Sequence, residues 1–224
     1  MDKTLPSLAA AIAQIFDGAT VMIGGFGGSG APIELIHALI DRHVAPGHPP
    51  GHSFGQIDPE TVITPGIFHH AGFFDHAAFF HHAAFFHHAD SFAMVRGGHL
   101  DVAILGACQV AQNGDLANWS VGAQGVPAVS EAMDLIHGAK RVAVITEHVT
   151  KEGKPKVLAT CTVPLTGVGC VTRIYTSRAV IDIEEGHFVL RAKLSSITFD
   201  DLQALTGAPL HLSGPVQDLT VPEL

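Results

Sequence analysis

The chain has 224 residues, 47% of them hydrophobic and 15% charged, with 12 Lys and Arg against 21 Asp and Glu and a formal charge of −9 with its 16 histidines neutral. That composition excludes wholesale disorder and supplies enough apolar residues for one sizeable core. The acidic balance, with no cluster of Lys and Arg, argues against a nucleic-acid partner, because release of phosphate counterions needs clustered cations.

From Thr4 to Phe16 the apolar residues Leu5, Leu8, Ile12, Ile15 and Phe16 recur at helical spacing, which predicts a core-facing helix with Thr4 as N-cap. Asp17-Gly18 makes a turn, Thr20 to Ile23 is a short β-branched run, and the glycine-rich stretch GGFGGSG of residues 24–30 leads to Pro32, suited to the first turn of a second helix. Between His43 and Pro65 five prolines and three glycines permit little regular structure, so a linker is expected at about 43–60. Next comes a six-residue repeat, FFDHAA at 73–78, FFHHAA at 79–84 and FFHHAD at 85–90. Six residues advance a helix by about 600°, so the Phe pairs cannot share one helical face, and on a strand each pair divides between both faces.

Ordinary alternation of strands and helices resumes after the repeat. Ser91 to Arg96 reads as a short helix before Gly97-Gly98, Leu100 to Leu105 as a buried strand, and Asn113-Gly114 as a hairpin turn. Ala128 to His137 reads as a helix stopped by Gly138, followed by a strand from Val142 to Ile145. The stretch TKEGKPK at 150–156 reads as a charged, exposed loop. Strands follow at Val171 to Tyr175, Val180 to Ile183 and His187 to Leu190, the last two joined by a turn at Glu184-Glu185-Gly186, and a helix from Phe199 to Thr206 is capped by Gly207. Strands mixed with helices throughout predict an α/β sandwich.

No apolar run reaches spanning length: the longest candidate, Phe92 to Val110, contains Arg96, His99 and Asp101. The first residues lack the basic start and cleavage site of a signal peptide. Cys108, Cys161 and Cys170 are odd in number and form no C-x-x-C pair, which fits free, semi-buried thiols in a reducing compartment, so no membrane association and a cytoplasmic location are expected.

The loop GGFGGSGAP at 24–32 leaves a strand and enters a helix, so its backbone N–H groups can face a phosphate or a developing oxyanion, or simply form a tight turn. Aligning Gly25, Gly27 and Gly30 gives G-x-G-x-x-G, but no acidic residue sits about 20 positions on in a second strand, and the G-K-[ST] ending of a P-loop is absent. His69, His70, His76, His81, His82, His87 and His88 offer imidazoles for Zn or Ni, yet neighbouring histidines on a strand point to opposite faces and no Cys or carboxylate set completes four ligands. A physiological metal site is therefore not expected. Asp115 and Asn118 fit as stabilisers of the turn after Asn113-Gly114, and Trp119 as a core side chain.

The whole string DGATVMIGGFGGSGAP at 17–32 resembles the signature near the start of the A subunit of family I CoA-transferases, and residues 1–42 fit it throughout. Residues from about 61 to 224 resemble the later part of the B subunit, through ADSFAMVRGGHLDVAILGACQV at 89–110, NGDLANWSVGAQGVPAV at 113–129, AMDLIHGAKRV at 132–142 and PLTGVGCVTRIYT at 164–176. The wording around GDLANWS is closest to 3-oxoadipate CoA-transferase. The resemblance implies a truncated mixed-sheet α/β sandwich of the CoA-transferase type, divided into an A-like arm (1–42), a Pro/Gly/His-rich linker with the repeat (43–89) and a B-like body (90–224). It implies transfer of CoA from an acyl-CoA such as succinyl-CoA to a 3-oxo acid such as 3-oxoadipate. No resident cofactor or metal is implied, since CoA is a co-substrate. The partners implied are an acyl-CoA, a small carboxylate and a complementary subunit in an oligomer.

In the family a glutamate attacks the thioester, forms an acyl-glutamyl anhydride and then holds CoA as a glutamyl thioester, which requires a desolvated carboxylate, backbone oxyanion donors and exclusion of water. CoA-contacting roles fall by resemblance on Gly24, Gly25, Phe26, Gly27, Gly30 and Asn118. The S-E-N-G segment that carries the nucleophile in the family's B half is absent from these 224 residues, whose eight glutamates are Glu34, Glu60, Glu131, Glu147, Glu152, Glu184, Glu185 and Glu223. Glu131 is the replacement candidate, because SEAMDL at 130–135 stands where the family has G-G-A-M-D-L; its alternative is a solvated carboxylate at a helix start. Besides the enzyme, two readings stand: a non-catalytic fused or chimeric remnant, and a histidine-rich metal-binding protein.

Overall fold

A computed structural model of the chain describes residues 95–98, 100–119 and 132–219, together with Ala93 and the strand residues 21–23 and 62–63. The expected helices at 4–16 and from Pro32, the glycine stretch 24–30, the linker, the repeat and Glu131 lie outside the described residues.

Eleven strands and two helices are described. In chain order they are β1 (Val21–Ile23), β2 (Val62–Ile63), β3 (Leu100–Gly106), β4 (Gln109–Ala111), β5 (Leu116–Ala117), α1 (Ala132–Gly138), β6 (Ala139–Thr146), β7 (Val157–Leu158), β8 (Val171–Thr176), β9 (Ala179–Glu184), β10 (His187–Leu194), α2 (Phe199–Ala204) and β11 (Leu210–Leu219). Eight strands form one sheet in the order β11-β10-β9-β8-β6-β3-β1-β2, and β5-β4-β7 form a smaller one. The large sheet is mixed: β2, β1, β3, β6 and β8 run parallel, β9 is antiparallel to both β8 and β10, and β11 is parallel to β10. The fold is therefore α/β with mixed sheets, as the sequence predicts.

Burial on both faces explains the near-continuous apolar run of β3, where Leu100, Val102, Ala103, Ile104 and Leu105 are all buried. Leu100, Ala103 and Leu105 join Leu135, Val142, Val144, Ile174, Ile181, Phe188 and Leu190 in one hydrophobic cluster. Ahead of β3, helical backbone at Ala93, Val95 and Arg96 ends at Gly97 and Gly98, where the Gly98 N–H donates to the Val95 carbonyl at 3.0 Å and φ is +74°. The β9–β10 hairpin turns at Glu185 (φ 50°) and Gly186 (φ 78°), and two successive positive φ values match the twist of the strands they join.

Three features differ from expectation. Gly207 does not cap α2: the helix ends at Ala204 with Leu205 as C-cap in the right-handed region, and Gly207 serves close approach, since a Cβ there would lie 2.6 Å from Leu158 Cδ2. The expected loop 150–156 is exposed at 151–154 but ends on a half-buried Lys156, because the Val110 N–H donates to the Lys156 carbonyl at 2.9 Å and the chain enters β7 with Val157 buried. The ten-residue strand β11 is held at its ends, where Leu210 and Leu219 are buried, while Ser213, Gly214 and Pro215 bulge out of register with β10.

Candidate functional site

Five parallel strands deliver their carboxyl ends to one edge of the large sheet, where ligands of open α/β folds bind. Strand β1 stops at Ile23, in register with Ile104 of β3. Gly106 of β3 pairs in turn with Ile145 of β6, and Thr146 of β6 with Thr176 of β8.

Past these ends the chain sets polar groups against one another. The Thr146 hydroxyl donates to the Ala107 carbonyl at 2.9 Å and accepts a hydrogen bond from Lys156 Nζ. Lys156 is only half-buried, and burial pushes its pKa down, while the nearby Cys108 and Glu147 pull it back up. Burial raises the Cys108 thiol, an effect that Lys156 opposes. His148 is fully buried between Thr176 Oγ1 and Thr206 Oγ1, each 2.9 Å from a ring nitrogen. Burial, reinforced by the Arg178 charge, pushes its pKa down to about 4, so the ring is neutral at pH 7.

A second constellation surrounds the β4–β5 hairpin. The turn has Gly114 at φ +87°; Asn113 Nδ2 donates to Asp115 Oδ2 at 3.0 Å, and the Gly169 N–H donates to Asp115 Oδ1 at 2.9 Å. Asp115 thus stabilises the turn as expected and also ties it to the 161–170 segment. Asn118 is tied to that segment too: its N–H donates to Thr166 Oγ1 at 3.0 Å, and the Thr166 hydroxyl donates to Asn118 Oδ1 at 2.6 Å. Its amide oxygen is therefore engaged in holding the loop. Trp119 is half-buried rather than a core side chain, with Nε1 donating to the Leu165 carbonyl at 3.2 Å. All three cysteines are free and half-buried. Burial and then Asp115 push Cys161 up to about 11; burial chiefly does the same to Cys170, so neither is a thiolate nucleophile at neutral pH.

On one face of the sheet, Val102, Ile104, Ala143, Ile145 and Tyr175 line a hollow of about 260 Å³. Its polar side is Asp182, which accepts from Arg173 Nη2 at 2.7 Å and from Arg191 Nε at 2.7 Å. Burial alone would raise this carboxyl, yet the two guanidinium groups outweigh it and hold it below its ordinary value.

Of the sequence-derived candidates, only Asn118 lies within the described residues; Gly24, Gly25, Phe26, Gly27, Gly30 and Glu131 lie outside them. Sequence reading missed Lys156, His148 and the Arg173–Asp182–Arg191 cluster. None of them carries a local signal, because each depends on contacts that only the fold brings about. Among the described residues no group of three or more His, Cys, Asp or Glu stands where it could hold a metal, and no helix is long and apolar enough to cross a membrane.

The chain is similar to the B subunit of 3-oxoadipate CoA-transferase from Acinetobacter baylyi, with 54% identity over 122 residues, 54% of this chain and 56% of that relative. It is similar to the like-named subunit from Pseudomonas putida, with 43% identity over 216 residues, 88% of this chain and 91% of the relative. Against the first, then, it spans little more than half the relative's length. Its fold is similar to an acyl-CoA transferase from E. coli solved as a thioester complex with CoA, with TM-score 0.71 and 14% identity over 98% of this chain and 43% of that one. The coenzyme A transferase family model matches residues 5–48 and 72–198. With more than half its length matched and a parallel-strand edge of the kind that binds ligands in open α/β folds, the chain belongs to the coenzyme A transferase family.

Proposed function

We propose that the chain acts as the B-type half of a CoA-transferase that moves CoA from succinyl-CoA to 3-oxoadipate or a related 3-oxo acid, working with a complementary subunit. The observation that carries this reading is the 43% identity to the B subunit of a 3-oxoadipate CoA-transferase over 88% of the chain. The polar edge described above is compatible with it: a half-buried cation, Lys156, and a neutral histidine, His148, stand past the end of β6. The nucleophile is a carboxylate that S-E-N-G does not supply in these residues, so it comes from the complementary subunit or from Glu131.

Adding succinyl-CoA and 3-oxoadipate to the chain with a complementary subunit, and following the new thioester by chromatography, tests the reading. We expect 3-oxoadipyl-CoA and free succinate in equal amounts. Succinyl-CoA that remains unchanged in the presence of both subunits would contradict it and favour the second reading, a non-catalytic remnant, which the absence of S-E-N-G supports.

A further inference from the structure

The Lys156 side chain has unspent binding capacity. Its backbone is fixed on both sides, because its carbonyl accepts the Val110 N–H at 2.9 Å and its N–H donates to the His148 carbonyl at 3.1 Å. The side chain reaches Thr146, whose hydroxyl proton is committed to the Ala107 carbonyl at 2.9 Å, so the Thr146 oxygen can only accept from the amine. Thr146 itself is buried and belongs to β6, a strand in the middle of the sheet. The hydroxyl is thus a fixed post that aims the ammonium.

An ammonium has three donors, and here one of them is used. Among the described residues Lys156 makes neither a second side-chain hydrogen bond nor an ion pair. Cys108 and Glu147 act on it only through their electrostatic influence. Among the described residues no carboxylate contacts this half-buried ammonium directly, so an anion docking there gains a direct ion pair. Through Thr146, Lys156 stands at the end of β6, on the edge where the parallel strands finish.

We propose that Lys156 anchors the substrate through the carboxylate that does not react, the one at the far end of a dicarboxylic acyl group, with Thr146 as the residue that positions it. This rests on the CoA-transferase reading and names the substrate class: acids with a second carboxylate. One lysine offers a single positive charge, enough for one carboxylate and no more, since the Glu147 carboxylate already acts on it. Phosphate groups, with two charges and three acceptor oxygens, call for several cations or a guanidinium fork.

The test compares two acceptors in the assembled enzyme, 3-oxoadipate and 3-oxobutanoate, the second lacking a far carboxylate. Lys156→Met should raise KM for 3-oxoadipate at least tenfold while leaving KM for 3-oxobutanoate and the thermal midpoint near the wild-type values, and Lys156→Arg should recover most of the loss. An equal change for both acceptors, or none for either, overturns the proposal. Succinate binding to the full chain alone, followed by calorimetry, decides the matter separately from turnover. A tenfold weaker affinity in Lys156→Met supports the anchor even if no transfer is seen, in which case the transferase reading fails by itself. Equal affinity in the two proteins, or no saturable binding to the wild type, overturns it.

Discussion

His148 is the residue whose ionisation bears most on stability. The Thr206 hydroxyl donates to the Leu202 carbonyl at 2.7 Å, so its oxygen accepts from His148 Nε2–H, and Nδ1 lies 2.9 Å from Thr176 Oγ1. Kept neutral by its burial, the ring joins the exit of β6 to the end of β8 and the turn after α2. With a folded pKa of about 4 against an ordinary 6.5, the unfolded chain binds more protons between those values. Stability is therefore full above pH 6.5 and is lost as pH falls toward 4, by about 2 kcal/mol at pH 5 from this group alone. Urea unfolding at pH 7 and pH 5 should show that difference in the wild type and a much smaller one in His148→Gln, which should also be less stable at pH 7; an equal pH dependence in both would refute the assignment. Nothing in the sequence marks this residue, since Thr176 and Thr206 lie 28 and 58 residues away. Lys156 is equally illegible: in a string of lysines around Gly153 each reads as solvated, and only the pairing of Val110 with Val157 turns one of them inward. Asp115 is legible because its partner Asn113 is two residues away.

Among the elements, α1 and the turn at Val95 meet through a glycine. A Cβ on Gly138 would stand 2.1 Å from the Val95 carbonyl oxygen and 2.6 Å from Val95 Cγ1, so Gly138→Ala forces the end of α1 away from a fully buried residue. We expect a loss of about 2–3 kcal/mol. Gly153 offers the contrasting control: its φ is +79° but its surroundings are open, so Gly153→Ala carries backbone strain alone and about 1 kcal/mol. Chemical denaturation of the two variants checks the order, and equal losses would show that the contact at Val95 is relieved without cost. The strands β3, β6, β8, β9 and β10 are legible because apolar runs and turn residues are local signals. Strand β11 is not, since eight residues between Leu210 and Leu219 escape burial and include Gly214 and Pro215. Its pairing with β10 is imposed by the α2 crossover, where the Thr198 side chain caps the helix by accepting the Asp201 N–H at 3.1 Å.

At the level of the whole molecule, fold class is legible and strand order is not. Alternating elements point to α/β layers, whereas the separation of β5-β4-β7 from the main sheet follows from bonds between distant residues, such as Leu116 N–H to the Gly167 carbonyl at 2.9 Å. The family is legible in long ordered strings, but the parallel edge that gathers Thr146, Lys156 and His148 emerges only when β1, β3, β6 and β8 are set side by side. The central proposal is that this chain is the B-type half of a CoA-transferase and that, of the two sources of the nucleophile, the complementary subunit rather than Glu131 supplies it, so the chain does not by itself form the covalent CoA intermediate. Intact-mass and peptide mass spectrometry after incubation with succinyl-CoA tests it most directly. The chain alone should show no CoA-sized adduct on any glutamate, whereas a CoA adduct on the isolated chain would contradict the account, and its loss in Glu131→Ala would identify Glu131 as the nucleophile.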